Sequence, residues 1–186
     1  METLFGLIIG IGLSAACGFR VFVPLLGLSL ASMTGHLTLG PGFEWIGSWP
    51  AFAAFATATV FEIGAYYIPW LDHLMDTLTT PAAVVAGTIM TASLVGNLSP
   101  FLKWTLAIIA GGGVAGMVQA GTVLLRGASS ATTGGFGNFL VSTGEATGSI
   151  LTTILALILP VVGLFVVGLV CVLIVFKWIR VKNKHA

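Results

Sequence analysis

Charge is scarce in this chain. Of 186 residues only 7% are Asp, Glu, Lys or Arg, while 57% are hydrophobic and the mean hydropathy is +1.09. An ordinary soluble domain carries roughly 25% charged residues, so this composition excludes one and makes the bilayer the solvent. A net charge of +1 leaves no concentrated basic face, which excludes nucleic acid as a partner. Cysteine is scarce too. Cys17 and Cys171 both fall inside apolar runs, so they form no disulfide framework and read as packing residues. No Lys or Arg precedes the apolar core of "METLFGLIIGIGLSAAC", where a secretory signal would carry one, and the segment is read as retained.

What the chain does have is long uncharged runs. A helix needs about 20 apolar residues to cross about 30 Å of hydrocarbon. A window of that length finds about five blocks, near 4–33, 49–70, 81–99, 101–125 and 146–176, followed by a basic tail at 177–186. The expected fold is an all-α polytopic transmembrane bundle forming one domain over 1–186. Connections are expected at 34–48, 71–80 and 126–145, with a tight turn at Pro100 and Lys103. Lys177, Arg180, Lys182 and Lys184 place the C-terminus in the cytoplasm by the positive-inside tendency. Five crossings then put Lys103 on that same side and Arg126 on the other.

The first block holds Arg20 near its middle, with Gly18 before it and Pro24 after it. Proline removes a helix donor and glycine loosens the backbone, so the segment reads as broken or as two re-entrant half-helices. An arginine at that depth costs at least about 2.5 kcal/mol on insertion scales and needs a partner. Glu62, the one acidic residue well inside a predicted span, is the expected partner. A salt bridge that merely holds two helices is the competing reading.

In "IPWLDHLMDTLTTP", Asp72, His73 and Asp76 share an arc of about 100° on a helix. Two carboxylates and an imidazole there could bind a divalent metal ion or relay protons. Equally, the polar side of an interfacial helix would meet headgroups, with Trp70 as anchor. No other cofactor is expected.

The passage "RGASSATTGGFGNFLVSTGE", Arg126 to Glu145, is rich in Gly, Ser and Thr between apolar runs. Glycine amides and hydroxyls can converge on an ion. Backbone at membrane depth is tolerated where it is buried or lines a wet cavity. With Phe136, Phe139, Leu140 and Val141 as apolar anchors, the passage is expected to re-enter the membrane; the competing reading is a flexible external loop. No lysine of a nucleotide loop follows its glycines. Gly-x-x-x-Gly spacings at 112–116 and 144–148 imply close helix packing, and a homo-oligomer is compatible with them.

Three motifs, "GLSAACGFRVFVPLL", "FEIGAYYIPWLDHLMDTLTTPAAVVAG" and "SSATTGGFGNFLVSTGE", in this order, resemble an uncharacterised bacterial family of small integral membrane proteins catalogued only as a domain of unknown function. The resemblance covers most of the chain. It picks out Gly18, Arg20, Phe22, Glu62, Pro69, Asp72, Asp76, Thr133, Gly134, Gly135, Gly137, Asn138 and Glu145. Where that pattern often carries a charge before Ile-Pro, this chain has Tyr67. The resemblance implies a bacterial inner-membrane protein and no established activity.

The functional expectation is a transporter or channel for a small ionic solute. Arg20, Glu62, Asp72, Asp76, Thr133, Gly134, Gly135, Asn138 and Glu145 would form its pathway. One alternative is a membrane-embedded metal-dependent enzyme acting on a lipid or lipid-linked substrate through Asp72, His73 and Asp76. Another is a non-catalytic membrane assembly subunit.

Overall fold

The computed structural model describes residues 2–68, 71–96 and 98–182, and among these it is helical with no strand. The helices are α1 (Glu2–Cys17), α2 (Phe22–Met33), α3 (Trp49–Ala65), α4 (Asp72–Leu94), α5 (Pro100–Leu106), α6 (Gly113–Thr133), α7 (Asn138–Ile158) and α8 (Pro160–Lys182). A 3₁₀ turn at Glu44–Gly47 precedes α3, and a π-helical turn at Ala107–Gly112 joins α5 to α6. Leu74–Leu94, Pro100–Thr133 and Asn138–Ile158 are long and apolar enough to cross a bilayer. Large apolar side chains such as Phe61, Phe101 and Phe165 cover the outside, each more than 70% exposed. Such a surface suits lipid, and the chain is an integral membrane protein.

The first block is broken where Gly18, Arg20 and Pro24 pointed, but the break precedes the proline. Residues 18–21 separate α1 from α2, and Pro24 sits in the first turn of α2, where a helix does not need its N–H. Gly18 is required there: a Cβ would stand 2.6 Å from both the Ala115 carbonyl oxygen and Val118 Cβ. The chain reverses at this break. Gly12 on α1 packs against Ala156, and Gly27 on α2 packs against Thr153, while between them Ser149 Oγ donates to the Ala16 carbonyl at 3.0 Å. Both half-helices therefore lean on α7, with their vertex toward its N-terminal half. At about 1.5 Å per residue, α1 is about 24 Å long and α2 about 18 Å, each short of a full crossing.

Glycine also sets the contact between α4 and the long helical run through α6. A Cβ on Gly87 would lie 2.6 Å from Ala115 Cβ, and one on Gly112 would lie 2.6 Å from Thr88 Oγ1. The 112–116 spacing thus serves close packing against α4. The 144–148 spacing does not: a Cβ on Gly144 meets nothing within 4 Å.

Two connections and one apolar block differ from expectation. Residues 72–80, read as a connection, are the first turns of α4, where Asp76 faces Arg126 and Thr79 is buried. The 126–145 passage is helical up to Thr133 and again from Asn138, so irregular backbone is confined to 134–137. Gly134 and Gly135 have φ of 62° and 93°, left-handed values that glycine adopts without steric cost, and they close a helical hairpin. The fifth block is two helices broken at Leu159 (φ −130°, ψ 66°); a residue before proline disfavours helix.

After that break α8 folds back. A Cβ on Gly163 would lie 3.2 Å from the Ala156 backbone nitrogen, and Val167 clusters with Ala15 and Val118. The α8 C-terminus therefore points to the end of the bundle that holds the 134–137 turn. Lys103, expected on the same side as the basic tail, stands at the opposite end beside Gly40 and Phe43.

Candidate functional site

The charged residues of the interior meet in one layer. Arg20 stands in the α1–α2 break with a fully buried side chain, and its Nη2 lies 3.3 Å from Glu145 Oε2. The same nitrogen donates to the Ser142 carbonyl at 3.1 Å. Arg126, one helix away on α6, donates from Nε to Glu145 Oε1 at 3.1 Å and from Nη2 to Glu145 Oε2. This two-pronged contact is the strong form of an arginine–carboxylate pair. Arg126 Nη1 also lies 3.2 Å from Asp76 Oδ1 on α4. Glu145 thus bridges two arginines, and Arg126 bridges two carboxylates.

Tyr66 organises the layer. Arg20 Cζ lies 3.8 Å and Arg126 Cζ 3.9 Å from the centre of its ring. Both guanidinium groups therefore lie against the Tyr66 π-system within cation–π reach. Thr79 Oγ1 donates its proton to the Met75 carbonyl at 2.8 Å. The Tyr66 hydroxyl, 2.8 Å from Thr79 Oγ1, is therefore the donor in that pair. Gln119 Nε2 donates to the same oxygen at 3.2 Å. The ring is held at its hydroxyl as well as by the two guanidinium groups.

Glu62 is buried at the edge of this layer, but its carboxylate is not bound to Arg20 as expected. Its Oε1 accepts from Val21 N at 2.7 Å and its Oε2 from Phe22 N at 3.0 Å. These are among the first amides of α2, which has no side-chain cap of its own, so Glu62 supplies from α3 the acceptors that a helix start lacks. The result leaves Arg20 underused. Its Nε and Nη1 have no hydrogen-bond partner among the described residues.

Of the expected pathway residues, Arg20, Glu62, Asp76 and Glu145 come together. Among the described residues, Thr133, Gly134, Gly135 and Asn138 lie at the other end of the hairpin's two helices, toward its tip. They build the hairpin turn, where Thr133 Oγ1 accepts from Gly137 N at 2.8 Å and Asn138 Nδ2 donates to Ser130 Oγ at 3.0 Å. The side chains of Asp72 and His73 lie outside the described residues. Asp76, the third member of the expected metal trio, faces Arg126, so its charge is already matched by a cation. Among the described residues no group of three or more His, Cys, Asp or Glu side chains could hold a metal ion.

Arg126 and Tyr66 were not recognised from the sequence, although signals for both are there. Arg126 stands eight residues before Gly134 and Glu145 eight after Gly137, so a hairpin closing on those glycines aligns the two. Tyr66 follows Glu62 by four residues, which puts both on one helix face.

A separate cavity of about 440 Å³ opens among Phe43, Val95, Lys103 and Trp104. It lies at the far end: the α4 stretch from Asp76 to Ser93 spans about 25 Å, and Ser93 is level with Gly40 and Lys103. The charge layer therefore belongs to the half of the bundle that carries the 134–137 turn.

No curated protein of known function and no solved structure matches this chain. One family model matches residues 7–180, described as a domain of unknown function, DUF4126. That match takes in the α1–α2 break, the charge layer and the hairpin, and the chain belongs to the DUF4126 family.

Proposed function

We propose that this protein moves a small ionic solute across the bacterial inner membrane, with Arg20, Glu62, Asp76, Arg126 and Glu145 forming an occluded polar layer on its route. One observation carries this reading. Arg20 is fully buried yet holds two N–H-bearing nitrogens without an acceptor among the described residues. Burying donors that are then left unsatisfied costs free energy, and an arginine within a membrane bundle typically marks a substrate or ion path. The reversal at 18–21 supports it, because broken half-helices ending at one polar point are a recurrent way to build such a site.

In this arrangement the layer lies nearer the face reached by the 134–137 turn, and the α1–α2 vertex enters from the opposite face as a re-entrant pair. The basic tail makes the turn side cytoplasmic. The apolar tip, with Phe136 91% exposed and Phe139 and Leu140 also exposed, sits at the headgroup boundary.

A second reading, a non-catalytic assembly subunit, is favoured by the closure of Asp76, Arg126 and Glu145 on one another. Such a network could simply clamp three helices. Flux separates the two. Purified protein in liposomes, screened with small anions and cations, should pass at least one of them, and Arg20→Ala protein that is still folded should not. Equal leak for protein-containing and empty liposomes across the whole screen would leave the clamp as the reading.

A further inference from the structure

Glu62 occupies a place built for a carboxylate that need not be its own. Its two oxygens rest on the Val21 and Phe22 amides, at the start of a 12-residue helix whose positive end points into the bundle. Such a helix start receives anions readily. The residue just before those amides is Arg20, whose Nε and Nη1 are buried without acceptors among the described residues. Two amides and two spare guanidinium nitrogens thus flank one break, and only the amides are in use.

We propose that the α2 N-terminus and Arg20 together form a seat for a small monocarboxylate, which enters when Glu62 takes up a proton and gives up the amides. The proposal rests on the transport reading above and names its solute class. On protonation, Glu62 loses its charge and yields the two N–H bonds. The incoming carboxylate accepts them on one oxygen edge and takes the Arg20 nitrogens with its remaining lone pairs.

Charge decides why proton and anion travel together. Among the described side chains the layer holds two cations, Arg20 and Arg126, against three carboxylates, Glu62, Asp76 and Glu145. One negative charge is left over. Adding an anion to that would place a second net charge in a low-dielectric interior, whereas adding an anion and a proton together leaves the balance unchanged.

Glu62 is the carboxylate that can switch. Asp76 and Glu145 are held by arginines, while Glu62 is held by neutral amides. Among the described residues, the charged and titratable groups acting on it are Arg20 at the break, Arg126 on α6 and Cys17 on α1, with Tyr66, Asp76 and Glu145 in the same layer.

Acetate is the probe, because Glu62→Ala removes the same four heavy atoms that acetate carries. Purified protein in detergent would be melted in acetate and in chloride at equal ionic strength, over pH 5 to 8. In the wild type, acetate should stabilise selectively, with an apparent affinity falling roughly tenfold per pH unit once Glu62 is mainly ionised, since only the protonated fraction is competent. In Glu62→Gln the affinity should be independent of pH. In Glu62→Ala acetate should restore stability that chloride does not, and adding Arg20→Lys should weaken that rescue.

If Glu62→Ala does not fold, the wild-type and Glu62→Gln titrations decide alone. The same response to acetate and chloride in both proteins at every pH overturns the seat. Selective binding whose pH dependence survives Glu62→Gln overturns the role of Glu62. Acetate binding without flux of any solute would sink the transport reading and keep the seat, whereas flux of a cation without acetate binding would do the reverse.

Discussion

Arg126 and Glu145 face each other across the α6–α7 hairpin, joined by two N–H···O contacts and almost wholly buried. The pair ties together the two helices that meet at the 134–137 turn, and through Glu145 it reaches Arg20, whose guanidinium group lies against the Tyr66 ring as that of Arg126 does. The same few atoms fix the hairpin, the α1–α2 break and the start of α4 relative to one another.

Breaking that pair on one side should be costly. Glu145→Gln deprives two buried arginines of their shared carboxylate, and loss of one partner from a buried pair costs about 3–5 kcal/mol. Arg126→Leu should cost a comparable amount. The double variant should be more stable than the sum of the single losses implies, because it leaves fewer stranded charges. Thermal or denaturant unfolding in a fixed detergent measures this, and additive losses would mean that the contact does not form.

Arg20 distinguishes two acidic neighbours. Its direct ion pair is with Glu145, at 3.3 Å, whereas Glu62 spends its oxygens on backbone amides. A double-mutant cycle for Arg20 and Glu145 should therefore return a larger interaction energy than one for Arg20 and Glu62, by about 1 kcal/mol or more. Equal values in the two cycles would restore the pairing that burial of Glu62 in a span first suggested.

The contrast shows where sequence reasoning reaches and where it stops. Helices of the first block, and a break near Gly18 and Arg20, were legible because window hydropathy and backbone chemistry are local. The partner of Arg20 was not. Glu145 lay in a passage read as a re-entrant loop, since its Ser, Thr and Gly content interrupts the apolar runs, while in the bundle Ser142, Glu145, Ser149 and Thr153 form a buried stripe along α7. Asp76 was placed in a connection for the same reason: a polar side chain that answers a buried arginine looks, in one dimension, like one that answers water. The break at Leu159 was hidden inside a continuous apolar run, with Pro160 as its one local signal.

Tyr66 carries a prediction of its own. Tyr66→Phe keeps both faces of the ring and removes the hydroxyl that donates to Thr79, at a cost of about 1 kcal/mol for one hydrogen bond. Tyr66→Leu also removes the π-system packed against Arg20 and Arg126, and each such contact is worth about 2 kcal/mol when desolvated. Stability should fall in the order wild type, Phe variant, Leu variant. Equal stability of the two variants would mean that the ring merely fills space.

The two Gly-x-x-x-Gly spacings should separate cleanly. Gly112→Ala drives a methyl to within 2.6 Å of Thr88 Oγ1 and should cost about 1–3 kcal/mol, the usual range for overpacking. Gly144→Ala meets nothing within 4 Å and should be neutral or gain up to about 1 kcal/mol of helix propensity. Melting of the two variants side by side is sufficient, and a loss at Gly144 would point to a contact with another copy of the chain at that face.

The hairpin tip gives the last test, and it bears on the passage that looked least like a membrane segment. In a background of Cys17→Ala and Cys171→Ala, single cysteines at Phe136, Asn138, Ser142 and Lys103 would be exposed to a membrane-impermeant thiol reagent from each face of sealed vesicles. Phe136 is 91% exposed, whereas Asn138 is 6% exposed and Ser142 is fully buried. Phe136→Cys should therefore label at least about tenfold faster than Asn138→Cys or Ser142→Cys, because reaction with a buried thiol waits for local opening. Lys103→Cys should label from the opposite face, as the end-to-end helical run from Pro100 to Thr133 requires. A loop dipping into the membrane would instead protect Gly134 to Asn138 alike, and slow labelling at Phe136 would restore it. Labelling of Phe136 and Lys103 from the same face would break the single-crossing path from Pro100 to Thr133, and with it the placement of the charge layer toward the turn side of the membrane.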